Sequence, residues 1–360
     1  MAATETNIDE QPEEWIEPSD QQAERELAIG RRVGNWKTLA SFGFAVIVLA
    51  LVIARGDIDP GALWNRLRSL NIALFLCAFV IYYATFPLRG YRWKTLLRNA
   101  YQHTHREVVD DMSVRGLTEI IYISWFVNCV VPAKLGDLYR AYLAKLWVHI
   151  SWTKTIGTVL AERIVDILVL SVLLAATAFL LFHDRLGHVS MILVFGLGLA
   201  LLGIIALVMM KTMSSRIRRL IPERFLHRYI AFEEGTLHSF QRLPFLLGLT
   251  ALIWIMEGGR LQLVFASLGL NADVGGMGIP YVPMLFFALG TAVLTTVPFT
   301  PGGLGLVEVG VGGLMIYLCI PKADAAAVVL VDRVLSYYSV ALFGFLVYLL
   351  SKRSHFRHPV

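Results

Sequence analysis

Two short motifs, Pro132-Ala133-Lys134-Leu135-Gly136 and Pro301-Gly302-Gly303-Leu304-Gly305, share the spacing P-x-x-L-G inside long apolar stretches. A proline pre-sets φ for a first helical turn, and glycines let a ligand approach backbone N–H groups closely. A half-helix starting at such a point aims unpaired N–H groups and a positive dipole end at its surroundings. That geometry binds anions, phosphate above all. Lys134 adds a cation to the first motif, with Asn128 four residues ahead of Pro132, and Thr295, Thr296 and Thr300 offer hydroxyls before the second. The plainer readings are a packing kink at the second motif and a Lys134 that snorkels to the interface at the first.

Each motif is followed by an acid–arginine pair. Glu162-Arg163 lies 30 residues after Pro132, and Asp332-Arg333 lies 31 after Pro301. Arg92 and Arg260 stand 40 and 41 residues ahead of the same prolines, so the chain reads as duplicated with an offset near 169. Asp137 and Arg140 share one helix face at i, i+3 and can pair, as can Glu257 and Arg260; Glu162 and Asp166 share a face at i, i+4. Adjacent helical residues point about 100° apart, so neither acid need pair with the arginine beside it. Arg163 and Arg333 are expected to reach the motif tips and hold an anionic head group, bidentately if it is phosphate; a structural latch is the alternative. Glu308 reads either as a proton-linked carboxylate or as the partner of Arg333, and Arg92 as an interfacial anchor. The candidate substrate-binding set is Asn128, Pro132, Lys134, Gly136, Asp137, Arg140, Glu162, Arg163, Arg260, Thr300, Pro301, Gly302, Gly303, Gly305, Glu308, Asp332 and Arg333.

Nothing supports covalent catalysis, since G-x-S-x-G, H-E-x-x-H, P-loop and dinucleotide fingerprints are all missing from the sequence. His103 and His105 form H-x-H without a second cluster of metal-ligand spacing, so no metal or other cofactor is expected. Cys77, Cys129 and Cys319 sit in apolar stretches as inert thiols, outside any disulfide framework.

The elements that must position these groups follow from hydropathy. The chain has 360 residues, 56% of them hydrophobic, with mean hydropathy +0.62. A soluble protein carries about 25% charged residues; this one carries 16%. Leu39–Ala54, Ile72–Leu88, Ile164–Phe182, Val189–Met210 and Val334–Leu350 match the roughly 17–25 residues that cross a bilayer. Residues 1–30 hold nine acidic groups and one basic, and cannot build a core. A basic face on a soluble module is missing, which excludes nucleic acid as a partner.

Lys and Arg beside the spans place both termini in the cytoplasm. Two segments, 114–150 from the inner side and 281–322 from the outer, must then enter and leave on one face. Three crossings separate them, so the second half is inverted. The expected fold is an all-α polytopic membrane protein with about six full spans plus two re-entrant hairpins, eight membrane-embedded units in an inverted-topology repeat. Its parts are an acidic tail 1–37, a first repeat 38–183 with the inner hairpin 114–150, a second repeat 184–352 with the outer hairpin 281–322, and a tail 353–360. Two full crossings per hairpin would raise the count to ten.

The stretches RGYRWKTLLR (89–98), NCVVPAKLGDLYRAYLA (128–144), VLAERIVDILVL (159–170), PFTPGGLGLVEVG (298–310) and LVDRVLSYYSVALFGF (330–345) resemble the flippase-like, or lysylphosphatidylglycerol synthase transmembrane-region, family. The resemblance implies an integral protein of a prokaryotic plasma membrane that moves a lipid between leaflets. It also implies a stand-alone member, because no aminoacyl-transferase domain is expected after Val360; lysyl transfer is suggested by the family name only. The combined expectation is a non-enzymatic translocase of a phosphate-bearing, anionic or polyprenyl-phosphate-linked lipid working by alternating access. A membrane-embedded transferase or accessory subunit, and a small-solute or ion transporter, stay open. So does partnership with a second copy or with a lipid-modifying enzyme.

Overall fold

The computed structural model of the chain describes residues 59–131, 134–182, 186–270, 281–296 and 301–355. The acidic tail 1–37, the expected span Leu39–Ala54, the last residues of the C-terminal tail, and the candidate ligands Pro132 and Thr300 lie outside the described residues.

Among the described residues all regular structure is helical. α1 (Pro60–Arg68) starts with proline behind an Asp59 cap and sends Arg66 to the carboxylate of Asp324 at 2.6 Å. α2 (Ile72–Ala100) begins where Asn71 Oδ1 accepts the N–H groups of Ala73 and Leu74, filling two of the orphan donors of a first turn. A short α3 (Arg106–Asp111) leads into α4 (Val114–Val130) and α5 (Leu135–Val148). α6 (Trp152–Phe182), α7 (Leu186–Thr212), α8 (Ser214–Leu220), α9 (Glu223–His238) and α10 (Leu243–Ser267) follow. α11 (Tyr281–Thr296) and α12 (Leu306–Tyr317) flank the Pro301–Gly303 turn. α13 (Lys322–Arg333) passes through a π-helical turn, Val334–Tyr338, into α14 (Ser339–His355).

Four of these segments are long and apolar enough to cross a bilayer: Ile72–Ala100, Trp152–Phe182, Leu243–Ser267 and Lys322–Ser351. A fifth candidate is Gly196–Thr212 with Ser214–Leu220, bent by 75°. Val172 and Phe179 on α6, Leu201 and Leu202 on α7, and Leu342 and Leu350 on α14 point outward, an apolar surface that water would not tolerate at this extent. The chain is a multi-pass membrane protein.

α2 and α10 run antiparallel along one another. The Asn71 N–H donates to the Ser267 carbonyl at one end, Arg89 meets Glu257 midway, and Asn99 Nδ2 donates to the Ser239 and Gln241 carbonyls at the other. α4 and α5 fold back on each other, with Ser124 Oγ donating to the Gly136 carbonyl. α4 joins α2 through rings: Phe86 and Tyr122 stack with centroids 4.2 Å apart. α14 then covers the other side of α4, where Gly344 sits against Phe126.

α9 (Glu223–His238) packs along the first part of α6. Two glycines bring these helices into backbone contact. A Cβ on Gly157 would strike the Phe232 carbonyl, and one on Gly235 the Lys154 carbonyl. Small residues permit such approach where apolar lipid gives no hydrophobic drive to associate.

Gly157→Ala or Gly235→Ala should destabilise the purified protein by about 1–3 kcal/mol through overpacking. Gly248→Ala in α10, where a Cβ meets open space, should leave the unfolding temperature unchanged or slightly raised. Thermal unfolding of the three variants in one detergent checks this contrast.

Candidate functional site: two buried charge networks and the hairpin tips

α2, about eight turns long, carries Arg89 and Arg92 inward, and each joins a network. Arg92, only 1% exposed, donates from Nη1 to Asp166 (2.6 Å) and the Thr250 hydroxyl (2.9 Å), and from Nη2 to Glu162 (2.8 Å). The i, i+4 spacing of Glu162 and Asp166 is what lets one guanidinium bridge both. The sequence expectation of an interfacial anchor is corrected here, because the acids of α6 draw Arg92 into the interior. Arg140 of α5 pairs with the other oxygen of Glu162 at 2.9 Å and lies over the Trp93 ring, 4.9 Å from its centroid. Arg163 pairs with Asp137 (3.0 Å) and Asp166 (3.4 Å). The i, i+3 neighbours Asp137 and Arg140 thus turn to different partners on α6 instead of to each other.

The second network repeats this pattern from α10. Arg260 binds Glu257 at 2.9 Å and Asp332, and lies over the Tyr82 ring. Arg333 pairs with Glu308 at 2.9 Å. Arg89 of α2 completes it by donating to Glu257 at 3.0 Å across 168 positions of chain, the same separation that divides Arg92 from Arg260. As expected, Glu162 and Asp332 both pair away from the arginines beside them.

The two tips differ in what occupies them. At the first, Asn128 Oδ1 accepts the Gly136 N–H (2.9 Å), which pins α5 to α4. Gly136 is required by close approach, since a Cβ would overlap the Ser124 carbonyl. Lys134 adopts a left-handed φ of 52°, and its ammonium has no hydrogen-bond or ion-pair partner among the described residues. The Arg163 side chain beside it is 33% exposed, against 1% and 2% for Arg92 and Arg140. At the second tip, Gly302 and Gly303 take φ of 57° and 72° and turn their carbonyls toward Arg333, which donates to both (3.3 and 3.4 Å). The Gly305 N–H donates to Glu308 Oε2 at 2.6 Å. The half-helix end expected to await a ligand is therefore filled by the chain's own carboxylate. Thr295 and Thr296 also turn away, each donating to the Ala292 carbonyl.

Tyr337, which sequence reasoning missed, links the tips. Its ring lies where a Cβ on Gly302 would fall, and its hydroxyl donates to the Cys129 carbonyl at the end of α4 (2.7 Å). The π-helical turn that holds it sets its angle, a feature that often marks functional positions. Arg89 was the other residue missed; only its offset from Glu257 could have revealed it. Among the described residues no group of His, Cys, Asp and Glu could hold a metal ion.

These features define a multi-pass helical membrane protein whose polar interior is built from paired arginines and carboxylates. Residues 39–344 match the lysylphosphatidylglycerol synthase TM region, and the chain belongs to that family. It is 31% identical to the UPF0104 membrane protein MJ1078 of Methanocaldococcus jannaschii over 236 residues, covering 65% of this chain and 97% of that one. It is 28% identical to the glycosyltransferase AglD of Haloferax volcanii over 354 residues, covering 85% of this chain and 53% of AglD. The UPF0104 membrane protein PH1989 of Pyrococcus horikoshii is 22% identical, with 79% and 88% of the two chains covered. No solved structure matches the chain.

Removing one partner from a buried ion pair strands the other, at a cost of about 3–5 kcal/mol. Arg92→Met should therefore abolish or sharply reduce accumulation of folded protein. Lys134→Met, which strands no described partner, should cost less than about 1 kcal/mol, as for a group outside any ion pair. Fluorescence-detected size-exclusion profiles of both variants after a heating series measure the difference.

Proposed function

We propose that this protein is a lipid translocase that carries a phosphate-containing lipid between the leaflets of a prokaryotic plasma membrane by alternating access. The observation that carries this reading is the imbalance at the first tip. Arg92, Arg140, Arg163 and Lys134 face the three carboxylates Asp137, Glu162 and Asp166, whereas Arg89, Arg260 and Arg333 face the equal set Glu257, Asp332 and Glu308. An unmatched cation within a bilayer calls for an anion. Lys134 and the partly exposed Arg163 are the two cations that a head group could reach, while its tails stay in lipid.

Two further features support the arrangement. Helices of 17, 14, 16 and 12 residues form the arms around the two P-x-x-L-G motifs. At 1.5 Å per residue they extend about 18–26 Å, short of the roughly 30 Å hydrocarbon core, as re-entrant hairpins would be. The contact of Arg89 with Glu257 favours two halves of opposite orientation. Residues 168 apart, at matching places in antiparallel α2 and α10, meet as they would near a two-fold axis in the membrane plane. Short broken segments in corresponding halves, facing one cavity from both sides, are how many carriers bind their cargo. In this reading both termini lie in the cytoplasm, no catalytic residue is assigned, and Tyr337 joins the tips that must move together.

The similarity to AglD favours one second reading, an accessory role in lipid-linked glycan modification. Purified protein in vesicles separates the two. A translocase moves fluorescent phosphatidylglycerol across vesicles with no partner added, and Lys134→Met and Arg163→Gln each slow it by about ten- to a hundredfold, as loss of a charge-assisted hydrogen bond would. An accessory subunit leaves the lipid in its leaflet, and that result would contradict the proposal.

A further inference from the structure

At the second tip the chain supplies an anion of its own. Glu308 Oε2 accepts the Gly305 N–H at the start of α12 (2.6 Å), and Oε1 lies 2.9 Å from Arg333 Nε. Two oxygens of one carboxylate thus stand between a helix N-terminus and a guanidinium, the positions that two oxygens of a phosphate would take there. The side chains of Glu308 and Arg333 are 8% and 5% exposed, so the pair is sealed. The first tip has no such occupant: Asp137 turns to Arg163, the Gly136 N–H goes to Asn128, and Lys134 is bare among the described residues.

We propose that Glu308 is a resident stand-in for the ligand's phosphate, and that the second tip accepts a phosphodiester head group only as Glu308 takes up a proton. This inference rests on the translocase reading and adds its coupling. If the head group arrived while Glu308 stayed ionised, two negative charges would compete for Arg333 in a sealed site. An unpaired buried charge is costly enough that such groups neutralise instead. Among the described residues no other cation is placed to take its part. The titratable groups facing the pair are the Tyr337 phenol from the π-helical turn, within electrostatic reach of both, and the Cys129 thiol from α4, within reach of Arg333; neither can add positive charge at neutral pH. Neighbouring Asp332 is committed to Arg260.

The exchange balances. A proton from water bonds to the Glu308 carboxylate, the Arg333–carboxylate pair breaks, and Arg333 and the Gly305 N–H close on the two non-bridging oxygens of the phosphodiester. When the lipid leaves, Glu308 gives the proton back and re-forms its pair. A singly charged lipid and a proton then enter the tip together without net charge, so a pH difference would drive the cycle and membrane voltage would not.

The test uses the full chain, purified in detergent and carrying Lys134→Met to silence the first tip. The titrant is dioctanoylphosphatidylglycerol, whose phosphodiester keeps one charge from pH 5 to 8. Calorimetry in two buffers of different ionisation enthalpy counts protons. About one proton should be taken up per lipid at pH 7, and affinity should rise up to about tenfold for each unit the pH falls. Adding Glu308→Gln, which keeps an oxygen for the Gly305 N–H but no charge, should abolish the uptake, flatten the pH dependence and tighten binding at pH 7. Should Glu308→Gln fail to fold, the proton count with Glu308 intact decides alone. Binding without proton uptake, or no binding at all in the Lys134→Met protein, overturns the inference. Inorganic phosphate binding as tightly as the lipid would overturn its head-group assignment. Each result is separable from failure of the translocase reading, which shows as wild-type vesicles that move no lipid.

Discussion

A charge within hydrocarbon must be neutralised where it stands, and the polar interior of this protein is arranged around that requirement. Arg89, Arg92, Arg140, Arg163, Arg260 and Arg333 build the two networks, and each is met by a carboxylate at 3.0 Å or less. Trp93 and Tyr82 add ring faces beneath Arg140 and Arg260. Because guanidinium groups fork, Arg92 joins two acids of α6 to Thr250 of α10, and Arg260 joins its own helix to α13. The charges therefore fix which helices adjoin as firmly as the apolar contacts do. Such pairs need not add net stability over apolar replacements, but breaking one is severe. What they specify is a particular arrangement of helices.

Against that background the tips are the informative exceptions. Each separates a pair of helices with residues that allow unusual backbone: a left-handed Lys134 in one, three glycines of positive φ in the other. Non-helical backbone at membrane depth survives only where protein or a cavity satisfies it. Arg333 and Glu308 do so at the second tip, Asn128 and Ser124 at the first. One tip is thus closed upon itself and the other presents cations.

Much of this was legible in the sequence, for identifiable reasons. Long apolar runs gave the helix cores at Ile72, Val189 and Val334, and the P-x-x-L-G spacing marked the interruptions. The helix limits were less accessible. α6 begins twelve residues before the apolar run at Ile164, and α2 extends twelve beyond Leu88, because charged residues on a buried face interrupt hydropathy without breaking a helix. Partner choice was hidden for a related reason. Local spacing suggested Asp137 with Arg140, but tertiary packing placed Arg163 and Glu162 nearer. Arg92 looked interfacial because its immediate neighbours are basic, and only the fold shows the acids waiting for it. Tyr337 could not be foreseen, since a π-helical turn changes which residues of α13 and α14 share a face. The expected first span, Pro132 and Thr300 lie outside the described residues.

In the proposed mechanism Lys134 and Arg163 form the open half of an anion cradle while Glu308 fills the closed half. Cryo-electron microscopy of the wild-type protein in phosphatidylglycerol nanodiscs tests it most directly. Head-group density is expected within hydrogen-bonding distance of the Lys134 ammonium and the Arg163 guanidinium, with acyl density leading outward between helices. Lipid phosphates found only at the outer annulus, with Lys134 directed to bulk water, would contradict it.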